Sequence, residues 1–468
     1  MERADCITRL REIVGERDLL TSRADCATYG YDASVFQGTA VLAVAFPEST
    51  GEVAQIVRLA HEAGLPYLAR GTGTGISGGA IPTKGGLVIE LSRMNRILEI
   101  DIANRRAVVE PGVINQDLKE VLASQGYGFT YVPDPGSQVV STVGGNVANN
   151  AGGMHCLKYG VTTNHVVGLE VVLPDGEVIT VGGKVLDQPG PDLVGLFVGS
   201  EGTLGVVTKV AVRIVRMPEV VKTQLALFQT VQDAANAVSA MMAAGILPAA
   251  LELLDRACMD VVDQAVHIGY PASAGAALII ELDGLNDGMQ RTLDRVADLC
   301  KRNSVIEIRT ANTAEEAARI WLGRRAAYGA LARLAPTCYI VDGCVPRTKL
   351  PEALARTIAI GESYGFSIAN LAHAGDGNLH PCIPFDINDP EACRRVLECG
   401  SEILQMCAEM GGTITGEHGV GIEKQNDMPL IFSPTDLKVM HWVKEVIDPG
   451  DLCNPEKIFP VATRRALA

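Results

Sequence analysis

Four side chains late in the sequence combine the residue types of a metal-assisted proton transfer. "NLAHAGDGNLHPCIPFD" places His373 and His380 around Gly-Asp-Gly-Asn, and "GGTITGEHGVGIEK" supplies Glu417 and His418. His373, His380 and Glu417 are together the ligand set of a catalytic divalent site with positions left open for substrate, and zinc, manganese or iron suits such donors. His418, beside the carboxylate, then remains for proton transfer. Asp376 is a candidate fourth ligand, but it lies in a Gly-Asp-Gly turn, where a carboxylate more often bonds local backbone. Cys382 and Cys407 have no paired base in the sequence, so both read as buried thiols.

The second concentration of chemistry is glycine. "ARGTGTGISGGAIPTKGG" (69–86) contains Gly73-Thr74-Gly75-Ile76-Ser77-Gly78, a G-x-G-x-x-G match. A dinucleotide fingerprint of the Rossmann kind needs a helix to open there and an acidic residue about 20 positions later. Gly79, Pro82, Gly85 and Gly86 do not allow that helix, and Glu90 comes too early. A bare run of this kind instead exposes successive backbone N–H groups as an anion-binding nest, to which Arg70, Thr72, Thr74 and Ser77 add side chains. Taken alone it would also suit a plain surface turn, the less favoured reading. Two more glycine-rich runs, Pro133–Gly160 and Gly199–Thr208, weaken that alternative, because long irregular segments inside a compact domain tend to be binding loops. Three such loops suggest one large ligand held mostly by backbone, and a flavin dinucleotide fits.

Alternating helix and strand patterns must position these groups. "PESTGEVAQIVRLAHEAG" puts Val53, Ile56, Val57 and Ala60 on one helical face, with Ser49 and Glu52 at capping-box spacing and Gly64 as the stop. "LPYLAR" is a short strand delivering the chain into the first glycine run. "ILEIDIANRRAVVEPG" reads as two strands folded about Asn104, and "LEVVLPDGEVITVGG" as a hairpin turning at Pro174-Asp175-Gly176. From about Lys222 strand–helix alternation ("TQLALFQT", "LPAALELLD", "AALIIELDG") predicts a sheet with helices on one side, an α+β layer, with Pro218 as the boundary.

Composition narrows the function classes. A chain of 468 residues predicts two or three domains. A net charge of −15 without a basic patch argues against nucleic acid or anionic lipid as a partner. The charged N-terminus is unlike a signal peptide, and no run approaches the roughly 20 apolar residues of a transmembrane segment. With twelve scattered cysteines and no C-x-x-C, the expectation is a cytoplasmic protein with reduced thiols.

In order, "RGTGTGISGGA", "PDPGSQVVSTVGGNVANNAGG", "GSEGTLG", "HAGDGNLHP", "GEHGVG" and "DPGDLCNPEKIFP" resemble the motifs of the flavin-dependent 2-hydroxyacid dehydrogenases of the vanillyl-alcohol-oxidase type, a family that includes glycolate oxidase flavoprotein subunits and D-lactate dehydrogenases. The likeness runs from about Tyr29 to Pro460. It implies an α+β protein with a two-part FAD-binding domain (1–217), an α+β cap with a helix-covered antiparallel sheet carrying the substrate site and metal motifs (218–420), and a segment returning to the FAD domain (421–468). It implies that Arg70, Gly71, Thr72, Gly73, Thr74, Gly75, Ser77 and Gly78 cradle the pyrophosphate. The rest of FAD falls to Pro133, Asp134, Ser137, Thr142, Gly144, Gly145, Asn149 and Gly152, and to Glu201, Gly205 and Val206. His373, His380 and Glu417 would hold the divalent metal, His418 resembles the family's base, and Arg324 in "WLGRRAAYG" matches a cap arginine that binds the substrate carboxylate.

Two departures refine this. Relatives with covalent FAD often carry a histidine in the first glycine loop, and Gly71–Gly79 has none, so noncovalent FAD is expected. Relatives acting on longer dicarboxylates can carry a lysine on the strand matching "CYIVDGC", which is apolar here until Asp342, so a small monocarboxylate such as glycolate or D-lactate is favoured. The resemblance also implies an iron–sulfur partner subunit or a quinone or cytochrome acceptor, reached at the inner face of the membrane through partners. A noncatalytic flavin-binding subunit could keep the glycine loops and dispense with the metal motif. A nicotinamide dehydrogenase fails on the missing helix after Gly78.

Overall fold

The structure is a computed structural model and describes residues 2–185 and 189–460, so the expected returning segment 421–468 passes outside the described residues after 460. The chain forms two compact units. One takes the chain up to Gly153, Val161–Met217 and the stretch from Glu417 onward; the other takes Met154–Gly160 and Pro218–Gly416.

The first unit holds two main sheets. In one, Leu87–Glu90 lies between Ala43–Ala45 and Tyr67–Arg70, parallel to both. Helix Thr50–Ala63 makes the crossover: Ser49 Oγ accepts the Glu52 N–H at 3.3 Å, and Gly64 ends it at φ +62°. The Glu52 carboxylate reaches back one residue further than a capping box does, accepting the Glu48 N–H at 2.7 Å. The other sheet is antiparallel, in the order Ile97–Asp101, Arg106–Val109, Val206–Arg213, Val166–Val172, Val178–Gly182. Both hairpins turn where their Asn and Pro-Asp-Gly signals stand: the Asn104 amide bonds Asp101, and Val172 pairs with Val178. The first glycine loop leaves strand Tyr67–Arg70 at its C-terminal end, and the third runs into Val206–Arg213.

The second unit is built on one antiparallel sheet, in the order Val305–Thr310, Val220–Phe228, Ala276–Gly284, Ala250–Asp255, Ala369–His373, Asn378–Phe385, Thr337–Ile340. Leu225, Leu227, Ala277, Ile279, Leu254 and Leu371 share one face and pack with Met259 and Val262 of helix Arg256–Val266 and with Trp321 of helix Ala314–Arg325. Ala226, Phe228, Leu278, Ile280 and Leu253 alternate with them and are equally buried, with helix Val231–Ala243 against those strands. The expectation of helices on one side is therefore corrected: the sheet is covered on both faces. Near-continuous apolar runs such as "ALELL" and "AALII" carry that signature, because a strand with one wet face alternates.

Candidate active site

In the first unit, the glycine loop after Arg70 is an open array of donors. None of the backbone N–H groups from Thr72 to Gly79 meets an acceptor among the described residues, although Ser77 and Gly78 are buried. Buried N–H groups are nearly always paired, so this run is arranged for an acceptor from outside the chain. Gly73 and Gly78 adopt φ +70° and +79°, which only glycine tolerates cheaply. A Cβ on Gly73 would strike the Arg70 guanidinium, which fills the inside of the loop and donates to the Ala80 carbonyl at 3.1 Å. Burial pushes the Arg70 guanidinium below its ordinary value, with Asp32 and Glu90 opposing. Arg70 thus braces the loop from within.

The second loop lies close to the first. Thr72 Oγ1 donates to the Val140 carbonyl at 3.0 Å, and a Cβ on Gly71 would overlap Thr142. Thr142 caps helix Val143–Asn149 by accepting the Gly145 N–H at 3.1 Å, and Gly144 packs on Pro111. Pro133 and Asp134 are pinned behind this helix: Asn115 Nδ2 donates to the Pro133 carbonyl at 2.9 Å, and Gly153, at φ +147°, sits on the Asp134 backbone. The Ser137 carbonyl accepts the N–H groups of Val140 and Ser141, closing the loop's turn. Gly152 is buried next to Gly153.

All three loops then grip one short segment, His418–Ile422. The His418 carbonyl accepts Ser77 Oγ at 2.9 Å and Asn149 Nδ2 at 3.1 Å. Glu201, at φ +52° and buried, accepts the Val420 N–H at 2.7 Å and the Gly421 N–H at 2.8 Å. Burial raises its carboxyl above the ordinary range and those N–H donors oppose the shift. The Ser77 carbonyl accepts the N–H groups of Ile422 and Glu423, and Gly421 (φ +52°) allows the backbone to close on it. His418 Nε2 stands 3.9 Å from Glu417 Oε1. Gly205, at φ +154°, lies against the Val172 carbonyl, and Val206 is a buried strand residue.

In the second unit, antiparallel register assembles a charged cluster on one face of the sheet. Glu252 is directly opposite His373, and His380, opposite Leu371, lies two residue pairs along from His373 and so on the same face. The imidazoles meet at right angles with centroids 4.9 Å apart. Glu252 is wholly buried. Its Oε1 accepts His373 Nδ1–H at 2.6 Å and its Oε2 accepts Arg324 Nε–H at 2.7 Å. Arg324, on helix Ala314–Arg325, is 5% exposed, and neither Nη has a hydrogen bond among the described residues. Burial works against its charge, but Glu252 and Tyr328 more than offset this and hold the guanidinium above its ordinary value.

Asp342 organises the other side of His380. Its Oδ1 accepts Asn378 Nδ2 at 2.9 Å and lies 3.9 Å from His380 Nδ1. Its Oδ2 accepts Thr415 Oγ1 at 2.6 Å and the Gly416 N–H at 3.0 Å. Asp376 is exposed in the turn between the histidine strands. Burial pushes the Cys407 thiol up to about 12.

Glu252 and Asp342 escape a reading based on motifs because each acts through side chains distant in sequence. The available signal was a single carboxylate inside an otherwise apolar run, "ALELL", since a buried charge must be paired. Glu281 in "AALIIELDG" gives the same signal: it accepts Trp321 Nε1–H at 2.7 Å and bonds His155 at 2.8 Å.

Comparison with known proteins turns this geometry into a family. The family model for an FAD binding domain matches residues 41–182, and the model for the C-terminal domain of FAD linked oxidases matches residues 217–458. The chain belongs to the FAD-linked oxidases. This FAD-linked oxidase is 40% identical over 466 residues to glycolate oxidase subunit GlcD of Escherichia coli K12, covering 100% of this chain and 93% of that one. It is 33% identical over 414 residues to the D-lactate dehydrogenase of Archaeoglobus fulgidus, covering 88% and 90%. Among solved structures, p-cresol methylhydroxylase with substrate bound superposes at a TM-score of 0.82 with 18% identity, over 98% of this chain and 97% of that one. The fold is therefore the α+β fold of the vanillyl-alcohol-oxidase type, and the protein is an FAD-linked oxidoreductase. Among the described residues of this oxidase, no helix is long and apolar enough to cross a membrane.

Proposed function

We propose that this oxidase converts a small 2-hydroxy monocarboxylate, of the glycolate or D-lactate kind, to the 2-oxo acid. The observation that carries the reading is the cluster of Glu252, Arg324, His373 and His380: a fixed guanidinium with both Nη groups open beside a crossed pair of imidazoles. The names of the relatives point to the same substrate class.

When bound, FAD supplies the two-electron acceptor and a divalent zinc, manganese or iron ion supplies Lewis acidity. The open N–H run from Thr72 to Gly79 suits the flavin's pyrophosphate, with no histidine there for a covalent link. Thr142–Asn149 and Glu201–Val206 shape the remaining contacts, Glu201 by holding backbone. His373, His380 and Glu417 are the metal donors in this reading. It is supported by the anchoring of Gly416 on Asp342, since the next Cα, that of Glu417, is about 3.8 Å further along the chain.

Arg324 receives the substrate carboxylate as a bidentate pair through its Nη groups. His418, its backbone held by Ser77 and Asn149, takes the hydroxyl proton, a step worth about 10²–10⁴ in rate. Cys338 and Ile340 face the same side of the sheet as Cys382 and His380 and bring no charge for a second carboxylate. In this reading the first unit is the FAD-binding domain and the second the substrate cap. Electrons leave to a partner subunit carrying an iron–sulfur cluster, or to a quinone or cytochrome. The name "subunit" on the GlcD relative supports the first route.

The test is the visible spectrum of the purified protein without oxygen as glycolate, D-lactate and L-lactate are added in turn. Bleaching of the flavin band by glycolate or D-lactate is the expected result. A bound flavin that none of them reduces would refute the substrate class and favour a noncatalytic flavin-binding subunit.

A further inference from the structure

We infer that Glu252 is a positioning residue that sets the metal-binding imidazole and the substrate-binding guanidinium with one carboxylate; this rests on the function proposed above. One oxygen is given to each partner: Oε1 to His373 Nδ1–H and Oε2 to Arg324 Nε–H, at 2.6 and 2.7 Å. Both bonds are buried, with Glu252 wholly inaccessible.

Three consequences follow from that division. Accepting at Nδ1 fixes the His373 tautomer, so that Nε2 carries the lone pair a cation requires, and makes the ring a stronger donor. Because the hydrogen bond is to Nε alone, the planar Arg324 fork is anchored while both Nη groups stay available to a carboxylate ligand. The negative charge, bonded to both His373 and Arg324, would also offset the repulsion between a buried guanidinium and a divalent ion held by His373 in a poorly screened site. Holding His373 and Arg324 on one carboxylate would couple the cation site to the carboxylate site, as a 2-hydroxy acid needs if it is to use both.

The placement is intrinsic to the sheet. Glu252 and His373 are direct partners in antiparallel register, so the pair is set by backbone pairing, while Arg324 reaches them from a covering helix.

The test uses the full chain, stripped with a chelator and titrated with Zn²⁺ in competition with a chromogenic chelator, with flavin content and thermal midpoint measured alongside. Glu252→Gln keeps the volume, removes the charge and turns an amide NH₂ toward one of the two donors. Expected are about 10–100-fold weaker Zn²⁺ binding and a raised KM for the hydroxy acid, with flavin content unchanged. Glu281→Gln, which alters another buried carboxylate on the same sheet face, is expected to leave Zn²⁺ affinity unchanged; an equal loss there would reduce Glu252 to a merely structural role.

Zn²⁺ affinity of Glu252→Gln within about twofold of wild type would overturn the inference. If that variant does not fold, Glu252→Gln with Arg324→Met removes the unpaired guanidinium, and the same loss of affinity is expected against Arg324→Met alone. Affinity equal to that of Arg324→Met would then overturn it. Failure of the wild-type protein to bind Zn²⁺ or Mn²⁺ at all is a different result: it removes the metal from the proposed function, and this inference with it.

Discussion

Replacing Arg324 by lysine separates charge from geometry. Arg324 gives Nε to Glu252 at 2.7 Å, and in the proposed function its planar fork serves a second carboxylate, that of the substrate, through the Nη groups. A lysine ammonium at the end of a flexible stem keeps the charge but cannot hold Glu252 and grip a second carboxylate bidentately. The substrate thus loses the equivalent of one charge-assisted hydrogen bond, about 1.5–3 kcal/mol, or roughly 10–150-fold in kcat/KM. The assay is steady-state turnover of glycolate and D-lactate with an artificial electron acceptor, with the flavin-to-protein ratio as control. Most of the loss should appear in KM. Arg324→Met goes further, leaving the buried Glu252 without its cation at a cost of about 3–5 kcal/mol in stability, which a lowered thermal midpoint reports. If kcat/KM of Arg324→Lys stays within about threefold of wild type, less than the loss of one such bond, Arg324 does not hold the substrate and the reasoning fails.

Other consequences can be checked separately. His418→Ala should abolish turnover and leave FAD bound, because the contacts of Ser77 and Asn149 are to the His418 backbone; loss of flavin absorbance in that variant would place the imidazole in the cofactor site instead. Gly421→Ala should lower flavin content, since a Cβ there would overlap the Ser77 carbonyl at a φ of +52°, and normal flavin loading would show that the loop accommodates it. Chelation should inactivate the enzyme reversibly; full activity in protein shown metal-free by elemental analysis would remove the metal from the mechanism. Glu170 is held below its usual range: burial pushes it up, but Thr50, Lys209 and Thr208 outweigh that. Its depressed value in the folded state means its stabilisation is full above the unfolded carboxyl's value of about 4.3 and is lost as pH falls through the folded value. The thermal-midpoint deficit of Glu170→Gln should therefore be present at neutral pH and narrow in acid, and a constant deficit would contradict the assignment.

Local chemistry made much of this protein legible in its sequence. Ser49 and Gly64 bound their helix because capping needs only neighbouring residues, and Asn104 and the Pro-Asp-Gly turn fold their hairpins for the same reason. The run from Thr72 to Gly79 signalled a row of open backbone donors because a glycine-rich backbone carries its donors regardless of what surrounds it. Residue type alone likewise nominated His373, His380, Glu417 and His418, and the structure brings His373 and His380 together on one sheet face, while their metal and proton roles belong to the proposed function. What tertiary structure decided was which charges meet. Glu252 and His373 are brought together by strand register across a long stretch of chain, and Arg324 joins them from a helix. Glu201, which its motif suggested for the cofactor, turns its carboxylate onto the backbone of Val420 and Gly421. Burial of the sheet on both faces is written in the apolar runs "ALELL" and "AALII", but which helices cover each face is set by tertiary packing. A buried charge in a sequence shows that a partner must exist; only the pairing of strands and the packing of helices determines which residue that partner is.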